Sequence, residues 1–225
     1  MFKIEELIQS GHYPQKKVKK PIPQMNGYER CPIIPRENWH HFSILQDTIN
    51  YKTGPWIAGG AVLSWYTGKA VDYGDIDVFC ANKDQALELC NKLSDYGLHD
   101  CFNCSTTSNF VDPNSSKTEL KIQVVKSKFF NSVDHLLDSF DLTICKIATD
   151  GRTFYVNDSR FYEHVKDKKM WFDVINSTTI KRLVKYRIMG YTLPKSQAEQ
   201  ILNCIDFDSH MKNPNMGIDE YETIG

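Results

Sequence analysis

The string Asp75-Ile76-Asp77-Val78-Phe79 constrains this chain more than any other feature. Charged and apolar residues alternate with period two, so in a strand both carboxylates share one face while Ile76 and Val78 occupy the other. The two acids stand roughly 6 to 7 Å apart at their backbones, a spacing that suits shared coordination of magnesium or manganese. Their mutual repulsion favours the binding of a cation.

The segment upstream adds a second chemical requirement. Trp56-Ile57-Ala58 reads as a short apolar strand, Gly59-Gly60 as a tight turn, and Ala61-Val62-Leu63-Ser64-Trp65-Tyr66 as a helix. Paired glycines let the turn backbone approach a ligand with no side chain in the way, and the helix start aims free amides at an anion. Each part taken alone is common: Gly-Gly is often only a tight turn, and an Asp-x-Asp pair is often a solvated strand. Together they supply what phosphate transfer needs, namely donors for phosphate oxygens and carboxylates for divalent ions.

The remaining pattern describes one α+β unit. Asn38 to Asn50 is compatible with a helix leading into it. Asn82 caps a predicted helix in which Ala86, Leu89, Cys90 and Leu93 recur at helical spacing and which Gly97 ends. After a polar loop rich in Ser, Thr and Asn, Leu120 to Val125 alternates as a strand, Phe140 to Cys145 follows as another, and Phe154 to Val156 reads as a hairpin partner. Further on, Ile180, Leu183, Val184 and Ile188 predict one apolar helix face, with Lys181, Arg182, Lys185 and Arg187 largely elsewhere; a short helix follows Pro194. The domain reading is an N-terminal extension over 1–50, the main domain with its C-terminal helices over 51–205, and an acidic mobile tail over 206–225.

Composition narrows the function classes. The 27 Lys and Arg against 28 Asp and Glu leave a formal charge of -1, so there is no global basic field and any polyanion site is local. The run Lys16, Lys17, Lys19, Lys20 reads as a solvated arm. No apolar run approaches the roughly 18 residues that cross a bilayer, so a soluble, cytoplasmic protein is expected. The seven scattered cysteines read as reduced thiols, and the compact His99, Cys101, Cys104 cluster lacks a second pair at zinc-site spacing. Trp56, Trp65, Tyr66 and Phe79 flank the acidic strand and read chiefly as core.

The string from Gly59-Gly60-Ala61-Val62 through Gly68-Lys69 to Asp75-Ile76-Asp77, with fourteen residues between Gly60 and Asp75, resembles the signature of the polymerase-beta-like nucleotidyltransferase superfamily. The similarity is to its tRNA nucleotidyltransferase and poly(A) polymerase branch, and bacteriophage-encoded nucleotidyltransferase-like proteins share it. Phe140-Asp141-Leu142-Thr143-Ile144-Cys145-Lys146-Ile147-Ala148 is similar to that branch's Arg-Asp-Phe-Thr-Ile-Asn-Ala motif, and Lys181 to Tyr186 with Gly190-Tyr191 resembles the basic helix beyond its catalytic domain. Three departures stand out: Leu63-Ser64 where the tRNA enzymes carry Arg-Asp, no Glu-Asp-x-x-Arg base-selecting motif, and Gln123 where the superfamily's third carboxylate stands.

The resemblance implies a nucleotidyltransferase fold: a small mixed sheet flanked by helices, with a helical C-terminal part. It implies magnesium (or manganese) on Asp75 and Asp77, phosphates held by Gly59, Gly60, Ser64, Arg182 and Lys185, and the acceptor's proton taken by Asp77 or Asp141. The expected substrates are an NTP and a hydroxyl acceptor, RNA 3′ ends first. Gln123 and the missing Arg-Asp motivate the rival expectation, a catalytically silent fold that binds a nucleotide or a protein partner and, in a virus, counters host defence.

Overall fold

The computed structural model describes residues 33–35, 38–71, 74–113, 120–176 and 178–204. The basic run at 16–20 and the acidic segment 206–225 lie outside them.

Helix α1 (Trp39–Leu45) precedes strand β1 (Trp56–Ala58), α2 (Gly60–Tyr66), β2 (Gly74–Phe79) and α3 (Lys83–Asp95). Strands β3 (His99–Asn103), β4 (Thr107–Val111) and β5 (Leu120–Val125) follow, then α4 (Val133–Asp138), β6 (Ile147–Thr149) and β7 (Phe154–Val156). Helices α5 (Phe161–Lys166), α6 (Thr179–Ile188) and α7 (Lys195–Cys204) complete the described chain. The seven strands form one mixed sheet in the order β3-β4-β5-β2-β1-β6-β7, in which β2 and β5 are parallel and the other neighbours antiparallel. The α+β expectation therefore holds.

Alternation places the site. Ile76 and Val78 of β2, with Ile122 and Val124 of β5, are completely buried on one sheet face beneath α2 and α3. Each such side chain contributes about 2 kcal/mol by leaving water. Asp75 and Asp77 consequently fall on the opposite face. Part of that second face is covered by a smaller core in which Trp56, Ala58 and Ala148 meet Phe130, Val133, Leu136 and Leu137. Helix α3 starts where Asn82 Oδ1 accepts the Gln85 amide at 2.8 Å, and Ala86, Leu89 and Leu93 are its buried positions. Phe42 and Leu45 of α1 are fully buried in the main core.

Three elements differ from the sequence expectation. The polar stretch before β5 is not a loop alone but contains the β3–β4 hairpin, held in the sheet by Ser108 and Phe110, the two buried residues of β4. Phe140 to Cys145 is not a strand: Leu142 makes a single bridge to Phe172, Thr143–Cys145 is one tight helical turn, and the strand starts at Ile147. The buried polar groups explain this, because Thr143 Oγ1 bonds His164 Nδ1 at 2.7 Å and Asp141 is held by α6, partners that a regular ladder would not reach. Helix α6 is rotated from its predicted facing. It buries Thr179, Leu183 and Tyr186, while Ile180, Val184 and Ile188 are 47, 57 and 82% exposed.

Candidate functional site

The turn after β1 is built around Gly59, whose φ of 85° strains any residue with a side chain. Its amide donates to the Ile147 carbonyl at 2.9 Å, tying the turn to β6, and a methyl group added there would stand 3.3 Å from the Phe140 ring and 4.0 Å from Asp77 Oδ2. Gly60 opens α2; a methyl group there would meet Tyr186 Oη at 3.1 Å and Lys185 Nζ at 3.6 Å. The two glycines thus bring β2, the Phe140 turn and α6 against one short backbone segment. The first bond of α2 runs from the Leu63 amide to the Gly59 carbonyl at 3.0 Å, so the amides of residues 60 to 62 precede the helical ladder.

Asp75 is exposed and Asp77 half-buried on the open face of β2. Burial, and then the charge of Asp75, push the Asp77 carboxyl up to about 7, against the opposing pull of Lys185 and Arg182. The shift is chiefly one of lost solvation, to which the neighbouring Asp75 charge adds. Two carboxylates on one strand face are hard oxygen donors of the kind that magnesium or manganese accepts, such ions completing their shells with water and phosphate oxygens. Among the described residues no three His, Cys, Asp or Glu side chains gather around one point.

Asp141 is 1% exposed and occupied: Oδ1 accepts from the Leu142 amide at 2.9 Å and Arg182 Nη1 at 2.7 Å, and Oδ2 accepts from Thr179 Oγ1 at 2.8 Å. It fixes α6 and, through Arg182, one of the two cations that act on Asp77. Lys185 is the other. Ser64 lies half-buried one turn beyond Gly60 on the same side of α2. Gln123 stands directly beside Asp77 in the parallel register and donates from Nε2 to Asn109 Oδ1 at 2.9 Å.

The structure therefore brings Gly59, Gly60, Asp77 and Lys185 together, sets Asp75 two residues along the same strand face, and places Asp141 behind Arg182. It also adds residues that sequence reasoning does not single out. Cys145 donates its thiol proton to Tyr186 Oη at 3.1 Å, and burial pushes the thiol up to about 12 and the phenol well above its ordinary range, so both stay neutral beneath the turn. Nothing in the local sequence separates Tyr186 from a core tyrosine. The zinc-like cluster is dispersed: Cys101 Sγ bonds the Asn109 carbonyl at 3.3 Å, and Cys104 Sγ contacts Thr106 Oγ1 at 3.1 Å.

Comparison with known proteins agrees with this architecture. The model of the Gabija anti-defense 2 family protein matches residues 36–168. A protein of Bacillus phage SPbetaL7 described as Gabija anti-defense 2 is 25% identical over 156 residues, covering 67% of this chain and 37% of that protein. Among solved structures, a CCA-adding enzyme with CTP superposes with a TM-score of 0.58 at 15% identity, covering 80% of this chain and 46% of the enzyme. The Thermotoga maritima CCA-adding enzyme complexed with tRNA gives 0.51 at 17% identity, covering 76% and 42%. The chain thus spans less than half the length of these relatives, and at such identities the likeness shows the nucleotidyltransferase fold.

Proposed function

The chain belongs to the Gabija anti-defense 2 family, and from that premise we infer that it is a phage counter-defence protein working through metal-dependent nucleotidyl transfer. In this reading a nucleoside monophosphate passes from an NTP to a hydroxyl acceptor, with an RNA 3′ end as the first acceptor to test. The observation that carries it is the juxtaposition of the Asp75–Asp77 pair, the Gly59-Gly60 turn and the Lys185 and Arg182 cations.

Asp75 and Asp77 would hold magnesium or manganese. Such an ion, when bound, neutralises triphosphate charge and makes the acceptor hydroxyl more acidic. The chain's own residues do the positioning. Helix α2 has only two turns, so the full charges of the Lys185 ammonium and the Arg182 guanidinium contribute more to phosphate binding than its dipole. Asp141 and Thr179 lock the Arg182 guanidinium in place, which spares the entropy of ordering it on substrate. Of the two carboxylates considered as proton acceptors, Asp77 faces the turn, whereas both oxygens of Asp141 are engaged; we assign Asp141 a positioning role. Ser64, on the Gly60 side of α2, assists at the phosphates.

A second reading is favoured by one feature, the neutral Gln123 beside Asp77. A site with two carboxylates holds its ions less firmly, and the fold would then bind a nucleotide or a partner protein without turnover. Labelled ATP or CTP, magnesium or manganese and bulk tRNA, incubated with the full chain and with Asp75→Ala and Asp77→Ala, separates the two. Transfer that both substitutions abolish supports the enzyme. Transfer that survives them refutes the mechanism, and nucleotide binding without transfer selects the silent reading.

A further inference from the structure

We propose that the outward face of α6 docks an amphipathic helix of a partner protein, one whose apolar seam is flanked by acidic residues. Ile180, Val184 and Ile188 recur at every fourth position and form an aliphatic ridge that is 47, 57 and 82% exposed. Beside the ridge runs a groove of about 360 Å³ lined by Met170, Leu183, Val184, Arg187, Ile188 and Leu193. Met170 and Leu183 are buried and form its floor, so an incoming apolar side chain would find a preformed seat. A ridge with helical spacing next to an apolar seat is the surface that a second amphipathic helix covers.

Charge selects the occupant. At 3.6 residues per turn, Lys181 and Arg187 lie about 60° to either side of Val184, so the ridge is bordered by a cation on both flanks. A second copy of this chain would bring the same cations against these, which disfavours self-association and favours an acidic partner. The polar anchors that turn the ridge outward, Thr179 and Arg182 on Asp141 and Tyr186 on Cys145, are the contacts that build the nucleotide side of α6. The docking face is thus distinct from the carboxylate pair, and the proposal goes beyond the nucleotidyl-transfer reading without depending on it.

The test uses the full chain and two synthetic helical peptides with the same leucine seam, one flanked by Glu and one by Lys, titrated by fluorescence anisotropy. The Glu peptide is expected to bind about tenfold tighter than the Lys peptide, with the gap closing at high salt. Val184→Glu and Ile188→Glu, at exposed positions and with the fold checked by circular dichroism, should remove binding. The pair Lys181→Glu with Arg187→Glu should reverse the preference. Binding of neither peptide, equal binding of both, a concentration-dependent dimer that Ile188→Glu dissolves, or Glu-peptide binding that arises only after deletion of residues 205–225 would each overturn the proposal.

Discussion

Replacing Asp77 by Asn should stabilise the metal-free protein, by an amount that depends on pH in a defined way. In the fold the Asp77 carboxyl is pushed up to about 7 from an ordinary 3.8, by burial first and by Asp75 second. Between those two values the folded protein holds a proton that the unfolded chain has released. Wild-type stability therefore falls as pH rises through this window and stays lowered above it. The full difference corresponds to about 4 kcal/mol. Asn carries no charge to desolvate, so Asp77→Asn should gain up to that amount at pH 8 and nothing below about pH 4. For a chain of this size that is on the order of 8 to 16 °C in melting temperature. Asp75→Asn should gain less, because it removes only the smaller of the two causes. The assay is thermal unfolding of wild type and both variants from pH 4 to 8 in chelator, then with magnesium or manganese. Added ion should raise the wild-type melting temperature and leave Asp77→Asn unmoved. Equal melting temperatures at pH 8, or a gain that does not change with pH, would refute the picture of a desolvated carboxylate beside a like charge.

Arg182→Ala should cost about 3 kcal/mol in urea unfolding, because it leaves the Asp141 carboxylate buried and without its cation; adding Asp141→Asn should recover part of the loss. Gly60→Ala should weaken nucleotide binding and destabilise by about 1 kcal/mol, since its methyl group would meet Tyr186 Oη at 3.1 Å, and Tyr186→Phe in the same chain should relieve the stability cost. Cys104 should be alkylated by iodoacetamide with an apparent pKa near 6, the value set by hydrogen bonds from the Thr106 hydroxyl and then the Thr106 and Thr107 amides. Its thiolate is present above that pH and lost below it, and Thr106→Val, followed by peptide mass mapping, should move the profile upward.

The acidic face of β2 is legible in the sequence because strand alternation has a strict period and one of its two faces is completely buried. The turn at Gly59 is legible for a related reason: a positive φ at a strand end leaves glycine as the unstrained choice. The β3–β4 hairpin is not, since its burial rests on Ser108 and Phe110 alone amid Ser, Thr and Asn, a composition shared with loops. The Phe140 to Cys145 segment misleads in the other direction. Its alternation imitates a strand, but Asp141 and Thr143 are buried to bond α6 and His164, residues distant in sequence, and those tertiary bonds bend the chain into a turn. Asp141 illustrates the limit at the site: residue type marks a carboxylate, whereas only its three bonds mark it as an anchor.

Helix α6 shows how one polar decision sets both sides of an element. By hydrophobic pattern alone it would bury Ile180, Val184 and Ile188 and gain about 2 kcal/mol for each. The helix instead turns Thr179 and Arg182 to Asp141 and Tyr186 to Cys145, and Lys185 comes with them to the Gly60 turn. With only 3.6 residues per turn, the ridge cannot face the same core as the anchors. The forgone burial is large against the net worth of ordinary hydrogen bonds, about 1 kcal/mol each. Anchoring cations beside the carboxylate pair and keeping an apolar ridge in solvent are thus consequences of a single rotation. A chain that uses both faces gains from that rotation, whereas one needing only a stable core would be expected to place polar residues at 180, 184 and 188.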